Sequence, residues 1–232
     1  MIKKANEEFR LPSRPQLLLR GLLMIALMGA VLFGTAGRWD LPFFWAYLGL
    51  YFLFFATVVL TSDVGMMKER MHPTAAGRDN LVLLRVAFGL VFVTHWVIAA
   101  WEVGRSQSAG VAPALQVVAL CLLAAGVATW GWAMHTNRFF STAVRIQAER
   151  GHYVVSTGPY GVVRHPGYAA AVVVSLCSGL ALGSWWAVLP CLVGAALFVR
   201  RASVEDRLLQ AELTGYREYA GRVPYRLLPG VW

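Results

Sequence analysis

Charged side chains are scarce in this chain: Lys, Arg, Asp and Glu together make up 14% of its 232 residues. A soluble domain of this length would have nearer a quarter of its residues charged. Hydrophobic residues make up 58% of the chain. The shortage of charge therefore argues against a soluble globular domain, and it is typical of a chain folded within a lipid bilayer.

Acidic residues are the scarcer of the two charges. Twelve Asp and Glu residues stand against 21 Lys and Arg residues, which gives a net charge of +9. In a soluble protein this excess would suggest nucleic-acid binding. Here the basic residues lie at the ends of apolar runs and form neither a stripe nor a recognition helix. We therefore expect no nucleic-acid partner.

Cysteine is also rare, and all three cysteines lie inside apolar segments. They have neither C-x-x-C spacing nor a neighbouring histidine cluster, so the sequence predicts neither a disulfide framework nor a metal site. Buried, unreactive thiols are the simplest interpretation. The three residues are Cys121, Cys177 and Cys191.

Long apolar runs are what the chain has in abundance. Four of them contain about 20 residues each, which is enough to cross a bilayer as a helix. The first is too long for the core of a cleavable signal peptide and lacks a small-x-small cleavage site, so we interpret it as a membrane helix. The four runs are Leu17–Ala36, Phe43–Ser62, Leu81–Trp101 and Ala114–Met134.

A fifth apolar run, Tyr168–Val199, is too long for a single crossing. Its 32 residues would form a rod of about 48 Å, whereas the hydrocarbon core measures about 30 Å. Gly183-Ser184 lies at its middle and favours a turn. We predict a hairpin of two short helices, 168–182 and 185–201, with one long tilted helix as the alternative.

The distribution of basic residues supports the hairpin. With two helices in the last run, 18 of the 21 Lys and Arg residues fall on one side of the membrane. Arg38 and Arg105 fall on the other side, and Arg85 lies within reach of the basic side by snorkelling. Because basic loops stay cytoplasmic, both termini are expected in the cytoplasm. A single long last helix would place the basic tail outside.

The predicted fold is an all-α, polytopic membrane helix bundle with about six transmembrane helices, including the C-terminal hairpin. Apolar residues at three- and four-residue steps predict a cytosolic amphipathic helix from Val204 to Ala220, weakened at Gly215 and ended by Pro224. We divide the chain into N-terminal membrane helices, 1–134, and a catalytic region, 135–232. The expected location is an inner membrane of bacterial type, in contact with membrane lipids.

Polar residues gather just before and just after the hairpin. Before it, the segment Arg150–Tyr168 contains a Gly-Pro turn, and Pro166 is well placed to start the next helix. After it come Arg201 and Glu205, which the hairpin returns to the same membrane face. A shared pocket of carboxylates, arginines and aromatic rings would suit a zwitterionic ligand that carries a flat ring.

The motifs in this region resemble a known family. The chain reads H-Y-V-V-S-T-G-P-Y-G-V-V-R-H-P-G-Y from His152, then R-A-S-V-E-D-R-L-L from Arg201, then Y-R-E-Y and a tail R-V-P-Y-R-L-L-P-G-V-W. This combined pattern resembles the isoprenylcysteine carboxyl methyltransferase (ICMT) family and is similar to membrane phospholipid methyltransferases more widely. The resemblance covers about Phe140 to Trp232, and the earlier residues match only as membrane helices.

The resemblance implies an enzyme that uses S-adenosylmethionine as cofactor and methylates a lipophilic or amphipathic acceptor. Glu205 matches a carboxylate that contacts the cofactor, and Arg201 matches an arginine near the methyl acceptor. Asp206 stands where relatives often carry a second Glu, and Gly167 replaces a bulkier residue in many relatives. The cofactor-binding positions carried over are Gln147, His152, Tyr153, Val154, Val155, Tyr160, His165, Pro166, Gly167, Tyr168 and Glu205.

A carboxylate acceptor, as in an isoprenylcysteine, would need no general base because it is already ionised at neutral pH. Catalysis would then consist mainly of positioning and exclusion of water, with Arg201 or Arg164 holding the acceptor's anion. Lipids, quinones, amines and small thiols remain open as acceptors. For an amine, thiol or phenol, His165 and Glu205 are the candidate bases.

Two other functions are compatible with parts of the pattern. An NADPH-dependent lipid or sterol-type reductase can share R-H-P-x-Y near such a hairpin, although G-P-Y and the upstream H-x-V-V favour methyl transfer. A transporter would show broken or charged helices in paired halves, which this sequence does not show.

His95, in the middle of the third run, is either functional or bonded to a neighbouring helix. Tyr216 and Tyr219 are expected to anchor the tail at the membrane interface.

Overall fold

The computed structural model describes residues 12–62, 64–71, 81–105 and 110–232. Within these ranges the chain forms eight α-helices and no β-strand, so the all-α prediction is confirmed. The helices are α1 (Arg14–Ala36), α2 (Pro42–Thr61), α3 (Val64–Met71), α4 (Leu81–Arg105), α5 (Pro113–Thr136), α6 (Pro166–Ala181), α7 (Val188–Glu212) and α8 (Tyr216–Arg222).

Three of the described helices, α1, α2 and α5, are long and apolar enough to cross a membrane, and α6 is a shorter apolar helix. Their large apolar side chains face outward: Leu27 is 66% exposed and Leu53 is 63% exposed. Outward-facing leucines in long helices are what a lipid environment requires. The chain is thus a helical protein of the membrane type, and the number of six crossings stays a prediction. The basic residues Lys3, Lys4, Arg10 and Arg78 lie outside the described residues.

The last apolar run folds back on itself as two helices, α6 and α7, which pack against each other. The turn between them uses Gly183, whose φ of +86° is a conformation that favours glycine. The backbones come close here, since a Cβ added at Gly179 would lie 2.9 Å from the carbonyl carbon of Ala187. A single long tilted helix over this run is therefore excluded.

Helix α7 is longer than the predicted second arm of the hairpin. It runs without a break from Val188 to Glu212, so the predicted helix Val204–Ala220 is divided between α7 and α8. Nothing in the sequence around residue 202 breaks a helix, and α7 therefore continues beyond its apolar part. The break falls instead at Gly215, which has a φ of +81°.

The helices form one bundle in which α6 lies between α5 and α7, while α1 packs against α2 and α4. Helix α4 also contacts α7, and α2 contacts α5. Small residues allow the closest approaches: a Cβ at Gly104 would lie 2.3 Å from the carbonyl oxygen of Ala36. Such contacts are typical of membrane helix packing, where close van der Waals fit replaces the hydrophobic effect.

A buried polar cluster joins three helices inside the bundle. The Nε2 atom of His95 lies 2.9 Å from the Oγ of Ser178, and the hydroxyl of Tyr47 lies 2.6 Å from the same Oγ. The indole N–H of Trp96 donates to the Tyr47 hydroxyl at 3.2 Å. His95 thus bonds to a neighbouring helix, and the cluster ties α2, α4 and α6 together.

The fold places four pieces of chain at one end of the bundle. Helix α5 ends at Thr136, and the segment 137–165 leads from there into α6. The far end of α7 returns to the start of α6 because the two helices form a hairpin. Helix α3 reaches the same end through Glu69, which accepts hydrogen bonds from Arg145.

Candidate active site

A cavity of about 290 Å³ lies at this end of the bundle. Its volume is at the lower end of the range usual for small-molecule sites. Its walls come from the segment 137–168, from the end of α7, from α8 and from Arg70 of α3. Apolar rings of Phe88, Trp130 and Phe198 line the side that belongs to the membrane helices. The cavity therefore has a polar part and an apolar part.

The structure brings together twelve of the thirteen residues that the sequence indicated as a site. Pro166 does not line the cavity, since it is buried at the first position of α6. The twelve residues in the cavity wall are Gln147, His152, Tyr153, Val154, Val155, Tyr160, Arg164, His165, Gly167, Tyr168, Arg201 and Glu205.

A chain of hydrogen bonds links the start of α6 to α7. The hydroxyl of Tyr168 donates to Oε2 of Glu205 at 2.6 Å, and Nε of Arg201 donates to that hydroxyl at 2.8 Å. The guanidinium of Arg201 also donates to the carbonyl of Thr142. Tyr168 thus holds Arg201 and Glu205 in fixed positions, although 33 and 37 residues separate them from it.

Gln147 organises the loop before the hairpin and is itself almost fully buried. Its side-chain N–H donates to the carbonyl of Phe139 at 2.7 Å, and its carbonyl oxygen accepts from Arg150. Its backbone N–H donates to Nδ1 of His152 at 3.2 Å. Because Nδ1 accepts this bond, the ring proton of neutral His152 resides on Nε2.

His152 is half-buried in an electropositive surrounding. Its ring packs 4.4 Å from the ring of Phe139. Burial, together with the nearby charges of Arg145 and Arg150, lowers the pKa of His152 to about 4, and Glu149 opposes this shift. The ring is therefore neutral at pH 7 and presents a flat, uncharged face to the cavity.

Asp206 lies on α7, beyond the apolar part of that helix, and does not line the cavity. It accepts hydrogen bonds from several residues. It is fully buried and accepts from Nε of Arg164 at 2.8 Å, from Nε of Arg226 at 2.9 Å and from the Tyr216 hydroxyl at 3.0 Å. His165 Nε2 lies 3.2 Å from the same carboxylate. Burial alone would raise the pKa of Asp206, but hydrogen bonds from His165, Arg164 and Arg226 hold it well below its usual range.

Most of the hydrogen-bonding capacity of Arg164 is used within the protein. Besides Asp206, its guanidinium donates to the carbonyls of Val223 and Pro224, each at 2.8 Å. Its backbone N–H donates to the carbonyl of Tyr225 at 2.9 Å. Arg164 therefore ties the R-H-P loop to α7 and to the tail, while one face of it reaches the cavity wall.

Tyr216 and Tyr219 differ from the expectation that they anchor the tail at the membrane interface. Both are buried, and both line the cavity. The Tyr219 hydroxyl donates to the carbonyl of Tyr160 at 2.7 Å. Helix α8 thus covers the cavity, because Gly215 turns the chain back over the loop. The Y-x-x-Y spacing placed both rings on one face, but it did not indicate which surface they meet.

The sequence reading also missed Arg70, Arg145 and the residues from Phe139 to Thr142, all of which line the cavity. Arg145 makes an ion pair of 2.8 Å with Glu69 and one of 2.6 Å with Glu149. Local sequence patterns give no signal for the pair with Glu69, because Glu69 and Arg145 are 76 residues apart.

The charges in the cavity wall are not all paired. Among the residues that the structure describes, no carboxylate lies at ion-pair distance from Arg70 or Arg201, and no cationic side chain lies at that distance from Glu205. All three side chains are partly buried, and withdrawing a charge from water is costly unless the charge is paired. The wall therefore offers two guanidiniums and one carboxylate to a ligand that carries both signs of charge.

The fold and the cavity together define a helical membrane protein with a small-molecule site between a polar loop and a helical hairpin. Residues 117–211 match the model of the isoprenylcysteine carboxyl methyltransferase (ICMT) family. The segment that carries most of the cavity wall is thus similar to the ICMT family, which confirms the resemblance of the motifs that begin at His152 and Arg201. The motifs from Tyr216 onward lie outside the matched residues. The family is one of membrane methyltransferases.

A curated protein with a different activity is also similar. Delta(14)-sterol reductase TM7SF2 of Mus musculus is 35% identical over 91 residues, which is 38% of this chain and 22% of that protein. The match thus spans about a fifth of the length of the mouse protein.

Proposed function

We propose that this protein is an S-adenosylmethionine-dependent methyltransferase that acts within the membrane on a lipophilic acceptor carrying a carboxylate. One observation carries the proposal: the H-Y-V-V to R-H-P-G-Y loop and the Arg201–Glu205 turn line the same cavity. These two pieces are the motifs of the family, and the hairpin brings them into contact through Tyr168.

The residues present fit the cofactor. Glu205 offers a carboxylate without a cationic partner among the described residues, which suits an ammonium group or ribose hydroxyls. The rings of His152 and Tyr160 suit the flat base. In the described structure the backbone N–H groups of Tyr153, Val154 and Val155 make no hydrogen bond, so they are free to bind ligand oxygens. When bound, S-adenosylmethionine supplies an electrophilic methyl group on a sulfonium.

The protein's own contribution would be positioning. Arg201, held by the Tyr168 hydroxyl and the Thr142 carbonyl, is placed to bind the anion of the acceptor. An ionised carboxylate requires no base. The rings of Tyr216 and Tyr219 cover the polar part of the cavity and exclude water from the charged groups.

The apolar part of the cavity supports entry of the acceptor from the bilayer. Phe88 of α4, Trp130 of α5 and Phe198 of α7 line it. Phe88 and Phe198 pack with their ring centroids 4.5 Å apart. A hydrocarbon chain that lies between these helices would place its polar end beside Arg201, while the cofactor enters from the cytoplasm.

The similarity to the mouse sterol reductase favours a second candidate, an NADPH-dependent reductase of lipids or sterols. The G-P-Y and H-Y-V-V motifs, parts of which line the cavity, favour methyl transfer over this candidate.

Isothermal titration of the purified protein with S-adenosylhomocysteine and with NADPH separates the two candidates. We expect S-adenosylhomocysteine to bind. The Glu205→Gln substitution should lower its affinity by about tenfold or more, because a charged hydrogen-bond acceptor is lost. The matched control is Glu212→Gln, which removes an exposed carboxylate from the same helix. Binding of NADPH alone would overturn the proposal, and unchanged affinity in Glu205→Gln would overturn the role of Glu205.

A further inference from the structure

A second guanidinium, that of Arg70, lines the cavity in addition to Arg201. It comes from α3, which lies outside the residues that match the family model. Its Cζ atom lies 5.2 Å from the ring centroid of Phe140, which also lines the cavity. The ring therefore supports the guanidinium from one side through a cation–π contact.

Phe140 can occupy this place because residue 167 is glycine. A Cβ added at Gly167 would lie 2.4 Å from the Phe140 ring, which is closer than real atoms approach. Any side chain at this position would therefore displace the ring. Gly167, Phe140 and Arg70 form a continuous stack that starts at the first turn of α6 and ends at the cavity.

The stack brings two like charges close together. Burial and the charge of Arg201 lower the pKa of Arg70 to about 10, whereas Tyr168 acts in the opposite direction. Both guanidiniums remain charged at neutral pH. In the described residues neither has a carboxylate at ion-pair distance. An anion bound between them would relieve the repulsion and pair both charges.

An independent observation comes from Trp130, which lines the same cavity. Its indole Nε1 is buried and has no hydrogen-bond partner among the residues that the structure describes. An unsatisfied buried donor is uncommon and calls for an explanation such as an absent ligand. Trp130 lies six residues before the end of α5, which is about 9 Å along the helix.

We propose that Arg70, Arg201 and the indole N–H of Trp130 form the head-group site for the acceptor, and that Arg70 determines its selectivity for a carboxylate over a neutral group. The Gly167–Phe140 contact holds Arg70 in place. This inference rests on the proposed function, since it assigns the acceptor side of the same cavity.

The test uses two probes that differ in charge alone: S-dodecyl-N-acetylcysteine and its carboxamide. Their binding to the full-length protein in detergent is measured by titration calorimetry, with and without S-adenosylhomocysteine. We expect the acid to bind more tightly than the amide. The Arg70→Gln substitution should lower the affinity for the acid by about tenfold or more and leave the affinity for the amide unchanged. The Trp130→Phe substitution keeps a ring but removes the N–H, and it should lower the affinity for the acid severalfold.

The matched control is Arg200→Gln, which removes the exposed charge next to Arg201 and should bind both probes as the unaltered protein does. If Arg70→Gln fails to fold, Arg70→Met keeps the apolar stem against Phe140 and takes its place. Equal affinities for acid and amide, no binding of the acid, or full acid affinity without the Arg70 charge would each overturn the inference. If the unaltered protein does not bind S-adenosylhomocysteine, the proposed function is overturned instead. The two failures can be told apart because the acid is also titrated without S-adenosylhomocysteine.

Discussion

At the scale of single residues, the site is governed by which charges have partners inside the protein. Arg145 and Arg164 are paired with carboxylates and serve as ties between segments. Arg70, Arg201 and Glu205 have no ion-pair partner in the described structure and face the cavity. His152 is a third kind of group, because its surroundings keep it uncharged.

The lowered pKa of His152 makes a prediction about pH. Its pKa is about 4 in the folded protein, whereas an unfolded histidine has a pKa of about 6.5. Between these values the unfolded chain binds more protons than the folded one. Stability should therefore fall as the pH is lowered from 6.5 to 4, and it should be level above 6.5. Apparent thermal unfolding midpoints over this pH range measure the effect.

His152→Asn should flatten this pH dependence, because Asn keeps a hydrogen-bond acceptor near the backbone N–H of Gln147 but does not titrate. His135→Asn removes an exposed histidine and is the control, for which the slope should stay as it is. A slope between pH 4 and 6.5 that is the same with and without His152 would show that other groups cause it.

At the scale of elements, Asp206 joins four pieces of the chain. It lies on α7 and binds the R-H-P loop through Arg164, α8 through Tyr216 and the tail through Arg226. The backbone of His165 also donates to the carbonyl of Arg226 at 2.9 Å. The cover formed by α8 and the tail therefore depends on one buried carboxylate.

We predict that Asp206→Asn destabilises the folded protein by about 3 kcal/mol, because it leaves the buried Arg164 without its counter-charge. Chemical unfolding in detergent, followed by circular dichroism, measures the change. Asp40→Asn removes the carboxylate of an exposed ion pair with Arg38 and should change stability much less, because solvent screens that pair. Equal effects of the two substitutions would contradict the central role of Asp206.

At the scale of the whole molecule, the cavity and most of the basic residues that the structure describes lie at one end of the bundle. The other end carries Arg38 and exposed tryptophans, including Trp39, Trp185 and Trp186. Tryptophans at this level are typical of a membrane interface. We therefore propose that the cavity end faces the cytoplasm and that the chain crosses the membrane about six times.

Labelling of engineered cysteines tests this orientation. In a variant whose three native cysteines are replaced by alanine, Asp40→Cys should react with a membrane-impermeant maleimide in intact bacterial cells. Ser156→Cys, in the exposed part of the loop near the cavity, should react only after permeabilisation. Reaction of the Ser156→Cys variant in intact cells would contradict the proposed orientation, because it would place the cofactor loop outside the cell.

Several features followed from the sequence because their causes are local. Twenty apolar residues in a row define a helix in lipid, and the lengths of α1, α2 and α5 agree with the runs that predicted them. The turn at Gly183 followed from a run too long for one crossing. The motif residues also indicated the cavity wall, since their types and spacing resemble those of the ICMT family.

The tertiary structure alone decided which of these residues face a ligand and which hold the fold. Asp206 and Glu205 are neighbours on one helix, yet the first is buried among cations and the second lines the cavity. Arg70, Phe140 and Gly167 meet although nearly a hundred residues separate the first from the last. Burial, ion pairing and close packing depend on distances in space, and a local pattern along the chain does not determine them.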